Sequence, residues 1–278
     1  MLLDHMPRVS LAFLPTPIHE MTRLSQTLGG PRLFIKRDDQ TGLAGGGNKT
    51  RKLEFSVAEA LRQGADTLVT VGGVQSNHCR QTAAAAARMG LECVVVLRGH
   101  PPKEWNGNLL LDHLIGARVI FSGDRSREEV AAETISNLQA RGRKPFDIPL
   151  GASDAIGAMG YIAAMEELDG QMKAGGLHFD RIVFATSSCG TQSGMCLGAK
   201  ALGMKTKVTG IAIDSTRDEL QEQVSWLAGE TARHAGLNVE IRPDEVLAYD
   251  GFLGAGYAIM GEPEKEAILL AARCEGIL

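Results

Sequence analysis

The chain has 278 residues, 44% hydrophobic and 22% charged, with a formal net charge of -4 and a pI near 6.0. This balance excludes an intrinsically disordered chain, and the mild negative charge without long basic runs excludes a general binder of nucleic acid or anionic membrane. No apolar run reaches bilayer-spanning length, and residues 1–8 lack a basic segment followed by an apolar one, so a cytoplasmic protein is expected.

From residue 33 onward, β-branched runs alternate with helical periodicities. A strand is predicted over 33–37 and a helix over 49–62, with Leu53, Val57, Ala60 and Leu61 on one face. Next come a strand over 67–71, a small-residue helix through 81–87, a strand over 93–97, a helix over 109–114 and a strand over 118–121. A second series follows: helix 157–168, strand 181–185, helix 191–202, strand 207–213 and a longer helix over 218–235. Such alternation predicts parallel sheets covered by helices, arranged as two α/β domains with ligands beyond the carboxyl ends of the strands. The five cysteines, Cys79, Cys93, Cys189, Cys196 and Cys274, form no C-x-x-C pair, which argues against a disulfide framework and against a zinc cage.

Three polar, glycine-rich turns fall at strand-to-helix transitions. The first, Gly45-Gly46-Gly47-Asn48-Lys49-Thr50, misses a nucleotide P-loop by one residue, because Asn48 stands where that pattern needs glycine. Lys49 sits instead at a helix start. Partial desolvation and the nearby charges of Arg51 and Lys52 would disfavour its ammonium form and make it nucleophilic toward a carbonyl; a solvated surface lysine is the ordinary alternative.

The second turn, Gly72-Gly73-Val74-Gln75-Ser76-Asn77-His78, gathers four hydrogen-bonding side chains at a helix N-terminus, a place that suits a carboxylate. For His78, a structural hydrogen bond competes with a catalytic role. The third turn, Thr186-Ser187-Ser188-Cys189-Gly190-Thr191, offers hydroxyls and free backbone N–H groups, which suit a phosphate or serve as an ordinary helix cap.

Together these turns resemble the pyridoxal-phosphate enzymes of the tryptophan-synthase-β fold group, and within it the D-cysteine desulfhydrase and aminocyclopropane-carboxylate deaminase family. The resemblance runs from Leu14-Pro15-Thr16-Pro17 through Ile35-Lys36-Arg37-Asp38-Asp39, Gly46-Gly47-Asn48-Lys49-Thr50-Arg51-Lys52, Gly73-Val74-Gln75-Ser76-Asn77-His78, Gly107-Asn108-Leu109-Leu110-Leu111-Asp112 and Gly190-Thr191-Gln192-Ser193-Gly194 to Glu275-Gly276-Ile277-Leu278. It implies fold type II: two open, mostly parallel sheets with helices on both faces and pyridoxal 5′-phosphate between the domains. The larger domain would comprise residues 1–52 and 161–278, and a smaller inserted one residues 53–160.

The resemblance further implies that Lys49 carries the cofactor as a Schiff base, that Asn77 contacts the ring oxygen, and that Ser187, Ser188, Cys189, Gly190 and Thr191 hold the phosphate. Gln75, Ser76, Asn77, His78 and Tyr257 would bind a small amino-acid substrate, with Lys49, Ser76 and Tyr257 catalytic; no metal is expected. Cys189 departs from the glycine common in relatives. Relatives continue beyond the position of Leu278 into a segment with a second active-site tyrosine and the partner of the pyridine nitrogen, so the chain is expected to be truncated or to have its end missing.

The implied chemistry is β-elimination. D-cysteine would give pyruvate, sulfide and ammonia; L-cysteate sulfo-lyase, aminocyclopropane-carboxylate deaminase, and a truncated or non-catalytic binding relative are the alternatives. The run Gln75-Ser76-Asn77-His78 leans toward the desulfhydrases, and a homodimer is implied, with Trp105 and Trp226 as candidate contacts or simply packed aromatics.

Overall fold

The computed structural model describes residues 2–252, 254–256 and 259–278. Near its start, β1 (Ile18–Glu20) and β2 (Phe34–Lys36) form an antiparallel ribbon around α1 (Thr22–Leu28). After the glycine turn, α2 (Lys49–Arg62), β3 (Thr67–Gly72), α3 (Asn77–Met89) and β4 (Glu92–Leu97) follow in turn. Then come α4 (Gly107–Ile115), β5 (Arg118–Phe121), α5 (Arg127–Ala140) and β6 (Pro145–Ile148).

These four later strands make one parallel sheet in the order β5-β4-β3-β6. The inner strands β3 and β4 are buried on both faces, which explains their unbroken apolar runs. Leu68, Val95 and Leu97 meet Leu53 and Val57 of α2, Ala83 of α3 and Leu109 of α4. The alternate residues Val69, Val71, Val94 and Val96 pack against Ala131 and Leu138 of α5. A one-residue register slip would exchange the two faces.

The second half contains α6 (Ala155–Gly175), β7 (Arg181–Thr186), α7 (Gly190–Ala201) and β8 (Lys207–Ala212). It continues with α8 (Arg217–His234), β9 (Leu247–Tyr249) and α9 (Glu262–Glu275). Its strands form a parallel sheet ordered β7-β8-β9. Ala212 and Ala248 of that sheet share a core with Met159 and Ile162 of α6, Leu197 of α7 and Leu220 and Val224 of α8.

Two glycines draw α2, α6 and α7 together, Gly160 across the two halves and Gly194 within the second. A Cβ on Gly160 would lie 2.3 Å from the Arg51 carbonyl oxygen, and one on Gly194 would lie 2.2 Å from that of Ala158. Helices α2, α6 and α7 therefore pack backbone to backbone, which carries the start of α2 close to the start of α7.

Helix α2 differs from the one-sided amphipathic helix predicted. Residues 50–58 are all buried, Arg51, Lys52 and Glu54 included, while Leu61 is only half-buried. Burying charge is expensive unless each group is paired, and Arg51 and Glu54 have partners distant in sequence. Arg51 donates to Asp38 at 2.8 and 2.9 Å and to both oxygens of Glu167 at 3.0 Å. Glu54 accepts from the backbone N–H of Leu11 and Ala12 at 2.9 Å each, and from the Arg8 guanidinium.

Candidate active site

The turn before Lys49 is fixed by two glycines that admit no side chain. Gly46 has φ 76° and a Cβ there would lie 1.9 Å from the Asp39 carbonyl oxygen; Gly47 has φ 133° and a Cβ would lie 2.3 Å from Gln81 Nε2. Thr41 Oγ1 clamps Gly47, accepting from its N–H and lying 2.8 Å from its carbonyl. Asn48 makes no side-chain cap for α2. Gln81 Oε1 serves instead, accepting from Thr50 N at 2.7 Å and Thr50 Oγ1 at 2.8 Å.

So held, Lys49 projects toward Gly151, where an added Cβ would lie 3.4 Å from Lys49 Cε and 2.7 Å from Ser188 Oγ. Burial pushes the Lys49 amine down from an ordinary 10.5 to about 8. The expected help from Arg51 is absent, because its guanidinium turns away to Asp38 and Glu167. Desolvation alone produces the shift.

One helical turn beyond Lys49, Lys52 is completely buried and donates to Gly151 O at 3.0 Å and Ser153 Oγ at 2.9 Å. Ser153 Oγ in turn meets Ser188 Oγ at 2.7 Å. A Cβ on Gly190, the first residue of α7, would come 2.8 Å from Lys52 Nζ and 2.9 Å from Ser153 Oγ. Burial, reinforced by the charge of Lys49, pushes the Lys52 amine well below its usual range. A buried amine bonded only to neutral groups, at a helix start with no side-chain cap, is a cradle that fits an anion such as a phosphate.

Of the residues expected at the phosphate, Ser188 and Gly190 line this cradle. Ser187 Oγ donates instead to Asp214 Oδ2 at 2.5 Å, and Thr191 is half-buried in the first turn of α7. Cys189 caps the helix with φ 64°, and its Sγ donates to Ser187 O at 3.2 Å and Gln223 Oε1 at 3.4 Å. Burial pushes its thiol up to about 11, so it stays protonated at neutral pH.

In the second turn Ser76 Oγ caps α3 by accepting from Cys79 N at 3.2 Å. Asn77 Nδ2 donates to Asn48 Oδ1 at 3.1 Å, tying this turn to the lysine turn. His78 is buried behind the site: its Nε2 lies 2.8 Å from Thr70 Oγ1, which donates to Ile148 O at 2.7 Å. Thr70 has one hydroxyl proton, so His78 Nε2 is the donor in their contact. Burial, then the charges of Lys49 and Lys52, keep the ring neutral. Gln75 is exposed and its amide engages Asn106 and Asn108. Tyr257 lies outside the described residues.

Lys52, Gly151 and Ser153 escaped sequence reasoning. Lys52 was detectable as the i+3 neighbour of Lys49 on one helix face. The 151–153 turn was not, because it follows β6, whose Pro-Phe-Asp-Ile sequence gives no alternating or β-branched signal.

A buried amine of lowered pKa beside an anion cradle, at the carboxyl ends of parallel strands, fits an α/β enzyme with a phosphorylated cofactor. A family model described as pyridoxal-phosphate dependent enzyme matches residues 9–278. The D-cysteine desulfhydrase of Yersinia enterocolitica is 40% identical over 282 residues, covering 99% of this chain and 84% of that protein. The 1-aminocyclopropane-1-carboxylate deaminase of Burkholderia lata is 40% identical over 287 residues, covering 99% and 85% respectively. A crystal structure of an ACC deaminase homologue superimposes with a TM-score of 0.90 at 37% identity, covering all of this chain and 83% of that one. The chain belongs to the pyridoxal-phosphate-dependent enzymes, in the family that holds the D-cysteine desulfhydrases and 1-aminocyclopropane-1-carboxylate deaminases. Its cofactor is pyridoxal phosphate.

Proposed function

We propose that the chain is a carbon-sulfur lyase that converts D-cysteine to pyruvate, sulfide and ammonia, with Lys49 as the amine that holds the cofactor. The observation that carries this reading is the Lys49 amine, lowered to about 8, at one end of a site whose other end is the cradle of Lys52, Ser153, Ser188 and Gly190. The phosphate belongs in that cradle, with Asn77 facing the ring. Pyridoxal phosphate, when bound, supplies the electron sink for a carbanion at the substrate α-carbon.

The chain's own groups do the rest. The start of α3 and the Ser76 hydroxyl receive the substrate carboxylate, with Asn77 and His78 contributing backbone N–H groups. Lys49 Nζ would take the substrate α-proton as general base. The Cβ–S bond then breaks, sulfur leaves with the electron pair and is protonated, and hydrolysis of the remaining three-carbon unit gives pyruvate and ammonia. Tyr257 completes the substrate side in this reading.

The equal identity to a deaminase supports a second reading, ring opening of 1-aminocyclopropane-1-carboxylate. Sulfite release from L-cysteate is the third. The assignment of residues 1–52 and 161–278 to a large domain and 53–160 to a small one is part of the proposal, supported by the strands of the four-stranded sheet all lying between residues 67 and 148. So is a homodimer, for which Trp226, 67% exposed on α8, offers a contact. A cytoplasmic location is proposed with it; among the described residues no helix is long and apolar enough to cross a membrane. Sulfide and pyruvate released together from D-cysteine support the main reading. Ammonia release from the cyclopropane substrate alone would replace it with the second, and inactivity on all three substrates would leave a binding protein.

A further inference from the structure

The segment 107–112 carries part of the family resemblance, yet none of its residues lines the anion cradle or reaches Lys49. Its contacts give it another role. We infer that Asn108 is a positioning residue for Lys49, acting through Arg80 and the Gly46 carbonyl; this rests on the reading of Lys49 as the cofactor-bearing amine.

Asn108 holds the substrate turn with one arm and Arg80 with the other. Its backbone N–H donates to Gln75 Oε1 at 2.8 Å and its Nδ2 to Gln75 O at 2.9 Å, while its Oδ1 accepts from Arg80 Nη1 at 2.7 Å. Arg80 Nη2 then donates to Gly46 O at 2.6 Å, a carbonyl that also accepts from Gln81 Nε2 at 3.1 Å. Gly46 is wedged against the Asp39 carbonyl and lies three residues before Lys49. A shift of Asn108 therefore moves the turn from which the lysine projects.

The neighbouring residues fit the same strut. Gly107 has φ 53° and a Cβ there would come 2.4 Å from Gln75 Oε1, so the docked amide requires glycine. Leu109 is fully buried in the core beneath α4. Asp112, one turn along, is fully buried with both carboxylate oxygens free of hydrogen bonds, and Arg80 is the cation that acts on it. Arg80 Nε is likewise buried without a partner. Burial pushes the Asp112 carboxyl up to about 7 against the pull of Arg80, so what fixes the fork geometry of the guanidinium is its two oxygen acceptors, Asn108 Oδ1 and Gly46 O, one on each terminal nitrogen.

The test compares Asn108→Ala with Asn108→Asp in the holoenzyme by backbone hydrogen exchange and by pyridoxal phosphate affinity. Asn108→Ala should raise exchange at residues 46–50 about tenfold, the loss expected for one charge-assisted hydrogen bond, weaken cofactor binding, and leave β7, β8 and β9 unchanged. Asn108→Asp keeps the acceptor for Arg80, so it should hold wild-type protection at 46–50 and wild-type cofactor affinity while losing protection at 75–77. Unchanged exchange at 46–50 in Asn108→Ala, an equal rise in β7–β9, or identical behaviour of the two variants at 46–50 would overturn the inference. Failure of the Lys49 reading has a separate signature: Lys49→Ala would keep the absorbance of the lysine-linked cofactor whatever the Asn108 variants do.

Discussion

The hydroxyls of Ser153 and Ser188 meet at 2.7 Å, joining the turn after β6 to the turn after β7 at the point where Lys52 arrives from α2. The contact closes a polar ring around a buried amine whose hydrogen bonds go to neutral groups. Replacing that amine should have opposite effects on the two states. Lys52→Met should leave the cofactor-free protein at least as stable, because burial already disfavours the charged form of the amine and the change removes the cost of desolvating it. It should weaken pyridoxal phosphate binding by roughly 10- to 100-fold, the loss of charge-assisted hydrogen bonds to an anion. Urea melts without cofactor and absorbance titrations with it check both signs.

Gly190→Ala probes the same cradle by size. Its methyl group would come 2.8 Å from Lys52 Nζ and 2.9 Å from Ser153 Oγ, occupying the anion's place. The expected outcome is a folded protein whose cofactor affinity falls at least about tenfold, since the amine must shift or the anion must. Wild-type affinity would place the phosphate elsewhere.

The depressed Lys49 amine sets a pH dependence. Its folded-state value of about 8 lies below the ordinary 10.5. Between those values the unfolded chain binds more protons, so stability without cofactor rises as pH climbs from about 8 to 10.5. The increment is at most about 3.5 kcal/mol, at about 1.4 kcal/mol per pKa unit. Lys49→Met should flatten that slope in urea melts. Cofactor capture, which needs the neutral amine, should quicken up to about pH 8 in stopped-flow absorbance and then level off.

Thr70 holds His78 in one tautomer and binds β3 to β6. Thr70→Val is nearly isosteric but leaves both the His78 Nε2–H and the Ile148 carbonyl without their partner. Denaturant midpoints should report a loss of about 1–3 kcal/mol. Thr70→Ser, which keeps the hydroxyl, should recover most of it.

The strands most legible in the sequence were those buried on both faces, because Thr67–Gly72 and Glu92–Leu97 are apolar and β-branched runs. Helix α2 was placed correctly, but its buried surface was not. Pattern reasoning assigns charged residues to solvent, whereas the partners of Arg51 and Lys52 include Glu167 and Ser153, more than 90 residues away. Helix α5 was missed because its first turn is acidic and only Ala131, Thr134 and Leu138 are buried. Strand β9, at three residues, is too short to show a period. The glycine turns that carry Lys49, Ser188 and Gly190 were legible, because each falls where a helix begins. The ties of Gln75 and His78 depend on α4 and β6, which local sequence does not bring into contact with them.

The central claim, that Lys49 rather than Lys52 bears the cofactor, is tested most directly by borohydride reduction of the pyridoxal-phosphate-loaded protein followed by peptide mass analysis. Both lysines lie in one segment and both have lowered pKa values, but Lys52 is bonded to Gly151 and Ser153 at the cradle. The account predicts a single pyridoxyl label on Lys49, lost in Lys49→Ala. A label on Lys52, or one that survives in Lys49→Ala, would contradict it.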